Sequence, residues 1–101
     1  MIRYGYICLR QFPKSEKFTL AADIKRAMMR LLELIIRCNM SREKYRFFND
    51  IDVELELLRN YIRLAKELEF LPFNKYENWS KLLVEIGKMV GGWRKSCGAR
   101  L

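Results

Sequence analysis

Between Ile24 and Cys38 the chain leaves almost no helical face for water. Ile24, Ala27, Met28, Leu31, Leu34, Ile35 and Cys38 recur at the three-and-four spacing of one face. Met29, Leu32 and Ile36 form a second apolar face in the same register. Only a thin polar stripe is left: Arg26, Arg30, Glu33 and Arg37. A helix apolar nearly all round is buried on several sides. A chain of 101 residues has little protein with which to bury it, and small domains commonly solve this by oligomerising. The expectation is that this surface hides against copies of the chain or a partner, with Met29, Leu32 and Ile36 as the oligomer interface.

The formal charge of +8 favours an anionic partner. It is unevenly placed: residues 1–47 carry net +7, residues 48–70 net −3 and residues 71–101 net +4. The acidity gathers at Asp50, Asp52, Glu54 and Glu56, where carboxylates complement the start of a third helix. The excess of positive charge lies elsewhere.

Catalysis finds little support. There is no histidine, which removes the commonest general base and metal ligand. Asp52 and Glu56 share a helical face but have no histidine beside them, and they read as a solvated, dipole-complementing pair. No glycine-rich phosphate loop is present, and no ligand set specifies a metal or cofactor. Cys8, Cys38 and Cys97 are widely spaced and odd in number, which points to reduced thiols in the cytoplasm. No run is apolar enough for a signal peptide or a membrane span.

The pattern predicts an all-α antiparallel bundle in one domain over residues 1–101. Residues 2–11 form a short first element, helix or strand, weakened by Gly5 and ended by Pro13. Main helices are predicted over 15–39, 41–69 and 74–95. Ser15 or Thr19 caps the first of these, Ser41 the second, and Asn74 with Glu77 forms a capping box for the third. Phe48, Ile51, Leu55, Leu58, Ile62 and Ala65 mark the core face of the 41–69 helix, with Leu57, Tyr61, Leu64 and Leu68 as a second stripe. Tyr76, Trp79, Leu83, Ile86, Val90 and Trp93 mark that of the last. Gly87 and Gly91 lie one turn apart and invite a close helix neighbour. Trp93 keeps the apolar period, so the helix continues through Gly91 and Gly92 rather than ending there. Short connections between long helices imply antiparallel neighbours.

Three helices each offer a cationic seam: Arg26, Arg30 and Arg37; Arg59, Arg63 and Lys66; Lys81, Lys88 and Lys95. Cations so arranged neutralise phosphates and release counterions. Each seam can instead be a solvated face laced with helical ion pairs. Tyr61, Tyr76 and Trp79 could stack bases, but their period argues for packing. No base-reading module is visible, so contacts to nucleic acid would go to backbone and shape.

Four segments together carry a resemblance. Phe12-Pro13-Lys14-Ser15-Glu16-Lys17-Phe18-Thr19-Leu20 opens the second helix, and Leu31-Leu32-Glu33-Leu34-Ile35-Ile36 lies in its middle. Leu58-Arg59 and Ile62-Arg63-Leu64-Ala65-Lys66-Glu67-Leu68 sit on the third, and Glu85-Ile86-Gly87-Lys88-Met89-Val90-Gly91-Gly92-Trp93 on the fourth. The set resembles Avd, the accessory variability determinant of diversity-generating retroelements. Its wider relatives are the four-helix proteins encoded by intervening sequences in large ribosomal RNA genes.

The resemblance implies an up-down four-helix bundle, assembled as a homopentamer with a basic surface. It implies a non-enzymatic protein that binds reverse transcriptase and RNA or cDNA and supports mutagenic reverse transcription. Arg59 and Arg63 match the basic pair of the family's third-helix motif; with Lys66 they are the expected nucleic-acid contacts, followed by Lys14 and Lys17. The family has a longer first helix. Here eleven residues precede Phe12, implying a short or truncated first helix, or a start upstream of Met1. Two other readings stay open: a helical assembly protein whose basic surface binds an acidic protein partner, and a ribosome-associated or RNA-processing protein.

Overall fold

Phe48, Ile51, Leu55, Leu58, Ile62 and Ala65, the predicted core face of the third helix, are all buried. They form the spine of an all-α bundle. A computed structural model describes residues 1–98, which form α1 (Ile2–Leu9), a 3-10 turn (Lys14–Glu16), α2 (Leu20–Met40), α3 (Tyr45–Glu67) and α4 (Phe73–Gly98). The bundle is four-helical with a short first helix. α3 packs along both α2 and α4, while α1 lies against α2 and α4, so neighbours around the bundle follow chain order. Among the described residues no helix is long and apolar enough to cross a membrane.

Gly5 is the hinge of α1's packing, a role beyond its cost to helix or strand. A Cβ there would come within 2.6 Å of Met28 Sδ on α2 and 2.8 Å of Trp79 Cζ2 on α4. The absent side chain lets α1 settle between the two longer helices. Trp79 and Met28 are fully buried beneath it, and the indole Nε1 of Trp79 has no hydrogen-bond partner. α1 is only 8 residues long, about 12 Å at the usual rise. Its Tyr6 ring sits under Lys25 Nζ at 5.5 Å. One turn further along the same stripe of α2, Met29, Leu32 and Ile36 remain 48%, 39% and 50% exposed.

Several predicted boundaries shift, and the hydroxyls of Thr19 and Ser41 bond outside the caps expected of them. α2 begins at Leu20 rather than residue 15. Pro13 instead starts a tight run in which Glu16 N–H bonds Pro13 O at 2.9 Å; Thr19, one of the two cap candidates, does stand at the N-cap position, but its hydroxyl donates to Glu16 Oε2 at 2.6 Å and makes no capping bond. α3 begins at Tyr45 rather than residue 41. Ser41 closes α2, and its Oγ accepts from Glu43 N–H at 3.0 Å in a local turn. Lys44 Nζ then donates to the carbonyls of Cys38, Asn39 and Ser41 at 3.2, 3.0 and 2.8 Å, placing an ammonium at the negative end of α2. α3 ends at Glu67 rather than residue 69. Phe70 N–H bonds Ala65 O and Glu69 N–H bonds Lys66 O, with Glu69 at φ 64°, a Schellman closure. α4 starts at Phe73, so Asn74 lies inside its first turn and not at a cap.

α4 runs unbroken through Gly91 and Gly92 to Gly98. The expected close approach at the glycines is only half realised. A Cβ on Gly87 would meet Arg59 Nη2 at 3.0 Å, whereas one on Gly91 would meet nothing within 4 Å. Gly87 therefore makes room for a guanidinium, not for a helix backbone. The far end of the bundle is closed by aromatic rings. Phe48 meets Tyr45 and Trp93 edge-on at 5.9 and 5.4 Å.

Candidate nucleic-acid interface

Arg59, Arg63 and Lys66 follow one another at steps of four and three, so α3 presents them on one side. That side faces α4, whose Tyr76, Ser80, Val84 and Gly87 keep matching helical steps. The two stripes make a groove. One recess of about 260 Å³ is lined by Glu56, Arg59, Asn60, Arg63, Tyr76, Ser80 and Val84. Arg59 Nη1 bonds Glu56 Oε2 at 3.2 Å, and Arg63 Nη2 donates to Asn60 Oδ1 at 2.7 Å. Lys66 Nζ lies 4.7 Å from the centre of the Tyr76 ring. Arg63 and Lys66 thus keep their charge, with no carboxylate paired to either among the described residues.

The groove is electrostatically polar along its length. Towards the start of α3 it widens into a recess of about 570 Å³ lined by Asp52, Val53, Glu56, Arg59, Val84 and Lys88. There Asp52 is held by Arg94 of α4 at 2.8 Å. That pair ties α3 to α4, and acid and base are balanced. A polyanion is accordingly favoured only in the half that runs from Arg59 to Lys66.

This arrangement bears on a match of family level. The profile described as bAvd-like matches residues 1–97. The chain belongs to the bAvd-like family. Membership points to an accessory role in diversity-generating retroelements. No curated protein and no solved structure matches the chain.

Elsewhere the bAvd-like chain pairs several of its cations with its own acids, though Lys88 and Lys95 of α4 are in no ion pair among the described residues. On α2, Arg26 pairs with Asp23 at 2.7 Å, and Arg30 and Arg37 both pair with Glu33, at 3.2 and 2.9 Å. Hydrogen bonds from Arg37 and Arg30 hold the Glu33 carboxyl below its ordinary pKa. The predicted arginine seam of α2 is therefore largely neutralised. On α4, Lys81 pairs with Glu77 at 3.4 Å, one turn back. Lys14 and Lys17 are exposed on and beside the 3-10 turn, which packs against α2 and not against α3 or α4. The tilted contact of the Phe12 and Phe70 rings, 5.9 Å between centres, puts Lys14 and Lys17 at the end of the bundle where α3 closes, outside the groove proper.

Of the three aromatics that could stack bases, Trp79 is fully buried and excluded. Tyr61 is half-buried beside Arg26, Arg30 and Glu54 in the cleft between α2 and α3. Burial raises the Glu54 pKa there. Tyr76 is half-buried in the α3/α4 groove itself. The ring that sequence reading missed is Phe73, beside Tyr76 at 6.3 Å and 63% exposed. Its signal was available: it directly follows Pro72 and falls off the step pattern of the α4 core stripe.

Proposed function

We propose that this bAvd-like chain is a non-enzymatic accessory protein that holds template RNA or its cDNA near a reverse transcriptase during mutagenic copying. The observation that carries this is the half-groove of Arg59, Arg63 and Lys66, where Arg63 and Lys66 have no ion pair among the described residues and converge with Tyr76 between α3 and α4. Family membership supplies the retroelement setting. In this reading the chain is a homo-oligomer, five copies by family resemblance, joined through Met29, Leu32 and Ile36, and it works in the cytoplasm. Self-association would repeat the basic groove around the assembly and so multiply its hold on a polyanion. Lys14 and Lys17 serve as outlying contacts at the α3-closing end.

RNA retention measured against salt tests the reading. With three cations on phosphates of a single strand, log affinity should fall against log salt with a slope of about −2 per protomer. Arg59→Ala with Arg63→Ala should flatten that slope by about 1.4 and leave the molar mass from light scattering unchanged. No RNA retained at about 50 mM salt would leave a helical assembly protein with an acidic protein partner as the better account.

A further inference from the structure

The basic half-groove ends on an aromatic platform. Phe73 opens α4 with its ring 63% exposed. Tyr76 backs it at 6.3 Å, tilted by 44°, and lies on the wall of the recess that also holds Arg59 and Arg63. Lys66 covers the Tyr76 ring at 4.7 Å. Phe73 is thus the open ring, and the cation nearest the platform is fixed by its aromatic neighbour. Arg59 and Lys66 are seven residues apart on α3, about 10 Å along the axis, a reach of two or three phosphates.

We infer that this groove selects single-stranded over duplex nucleic acid, because a base stacks on Phe73 while the adjoining phosphates lie along Lys66, Arg63 and Arg59. The inference rests on the nucleic-acid reading above and sharpens it. An exposed aromatic beside a short cationic track is the recurrent means of holding single strands. A duplex keeps its base faces inside its own stack and can offer only phosphates to the same groove. Glu56, beside Arg59 in the recess, and Asp52 beyond it favour a short footprint over a long rod laid along the bundle. Stacking is tolerant of base and sugar, so RNA and single-stranded DNA share the site.

The test is fluorescence anisotropy at low salt with one labelled sequence of about twelve nucleotides, offered as single-stranded RNA, single-stranded DNA and duplex DNA. Both single strands should bind about tenfold tighter than the duplex. Phe73→Ala should weaken the single strands by about five- to tenfold and leave the duplex unchanged, while Phe73→Trp should restore them. Arg59→Ala with Arg63→Ala should weaken all three. Equal affinities for the three ligands, insensitive to Phe73→Ala but lowered by the arginine pair, would overturn the selection and leave the polyanion reading standing. Loss of molar mass in Phe73→Ala would reassign the ring to a contact between copies. No retention of any ligand would remove both.

Discussion

Gly5 of α1 faces the indole edge of Trp79 on α4 with no room for a methyl group between them. A Cβ would stand 2.8 Å from Trp79 Cζ2, and the other side of the slot is Met28 Sδ at 2.6 Å. The shortest helix of the bundle is therefore seated by its least substituted residue. α1 is also the α-helix with least contact to the rest of the bundle, and besides the Gly5 approach only Cys8 and Leu9 of its side chains are buried.

Gly5→Ala should destabilise the fold by about 1–2 kcal/mol. Alanine improves helix propensity by up to about 1 kcal/mol, but overpacking a filled core commonly costs about 1–3 kcal/mol. Met28 can swing its thioether aside; the Trp79 ring, fully buried, cannot move as cheaply. The urea midpoint with unchanged m reads the effect. A midpoint that rises would mean α1 is not seated in the slot.

A second backbone prediction concerns the end of α3. Glu69 carries φ 64°, in the left-handed region that a side chain disfavours. Its N–H and that of Phe70 still complete the Schellman bonds to Lys66 and Ala65. Glu69→Gly should keep these bonds and relieve the Cβ strain, at the cost of a freer unfolded chain. The net expectation is a gain of about 0.5–1 kcal/mol in thermal or urea unfolding. A loss would mean that the Glu69 side chain makes a contribution larger than its backbone penalty.

Two buried thiols give the fold an alkaline weakness. Burial is the largest cause raising the pKa of Cys8, with the Tyr4 hydrogen bond and Lys75 opposing it. Burial likewise dominates at Cys38, with Lys44 opposing. In the unfolded chain such thiols ionise from about pH 8.5, while the folded chain still holds its protons. The folded state then binds more protons, so stability is intact below that pH and declines as pH rises through the folded-state values. Cys8→Ala with Cys38→Ala should show a shallower fall in melting temperature between about pH 8 and pH 10, measured with reductant present. Parallel falls would assign the alkaline loss to lysines and tyrosines instead.

Periodicity made the long helices legible. All six predicted core positions of α3 are buried, and Trp93 in phase with Tyr76 foretold that α4 crosses Gly91 and Gly92. Helix starts were not legible, because Thr19, Ser41 and Asn74 are all plausible caps by residue type. What decided them was where Thr19 and Ser41 spend their hydroxyls, on Glu16 and Glu43, and that depends on the path of the turn. The basic run on α3 could be read from spacing, but its pairing could not. Arg59 leans on Glu56 within α3, whereas Lys66 lies over Tyr76, a residue brought close only by the fold. The packing role of Gly5 was hidden for the same reason, since its neighbours come from two other helices.

Met29, Leu32 and Ile36 stay about half exposed, flanked by the Glu33 and Arg37 pair on the same surface. Covering the remaining halves of three such side chains is worth about 2–4 kcal/mol per protomer, enough to support association when repeated around a ring. Leu32→Gln with Ile36→Gln removes most of that gain. It leaves the buried face of Ile24, Met28, Leu31 and Leu34 intact, so the monomer should fold with little change in its urea midpoint. Light scattering should show the wild type as a multiple of the chain mass at micromolar concentration, and the double variant as single chains. RNA affinity should drop with it, because one groove replaces several. A wild type that remains a single chain at high concentration would remove self-association and, with it, the multiplied grip on RNA.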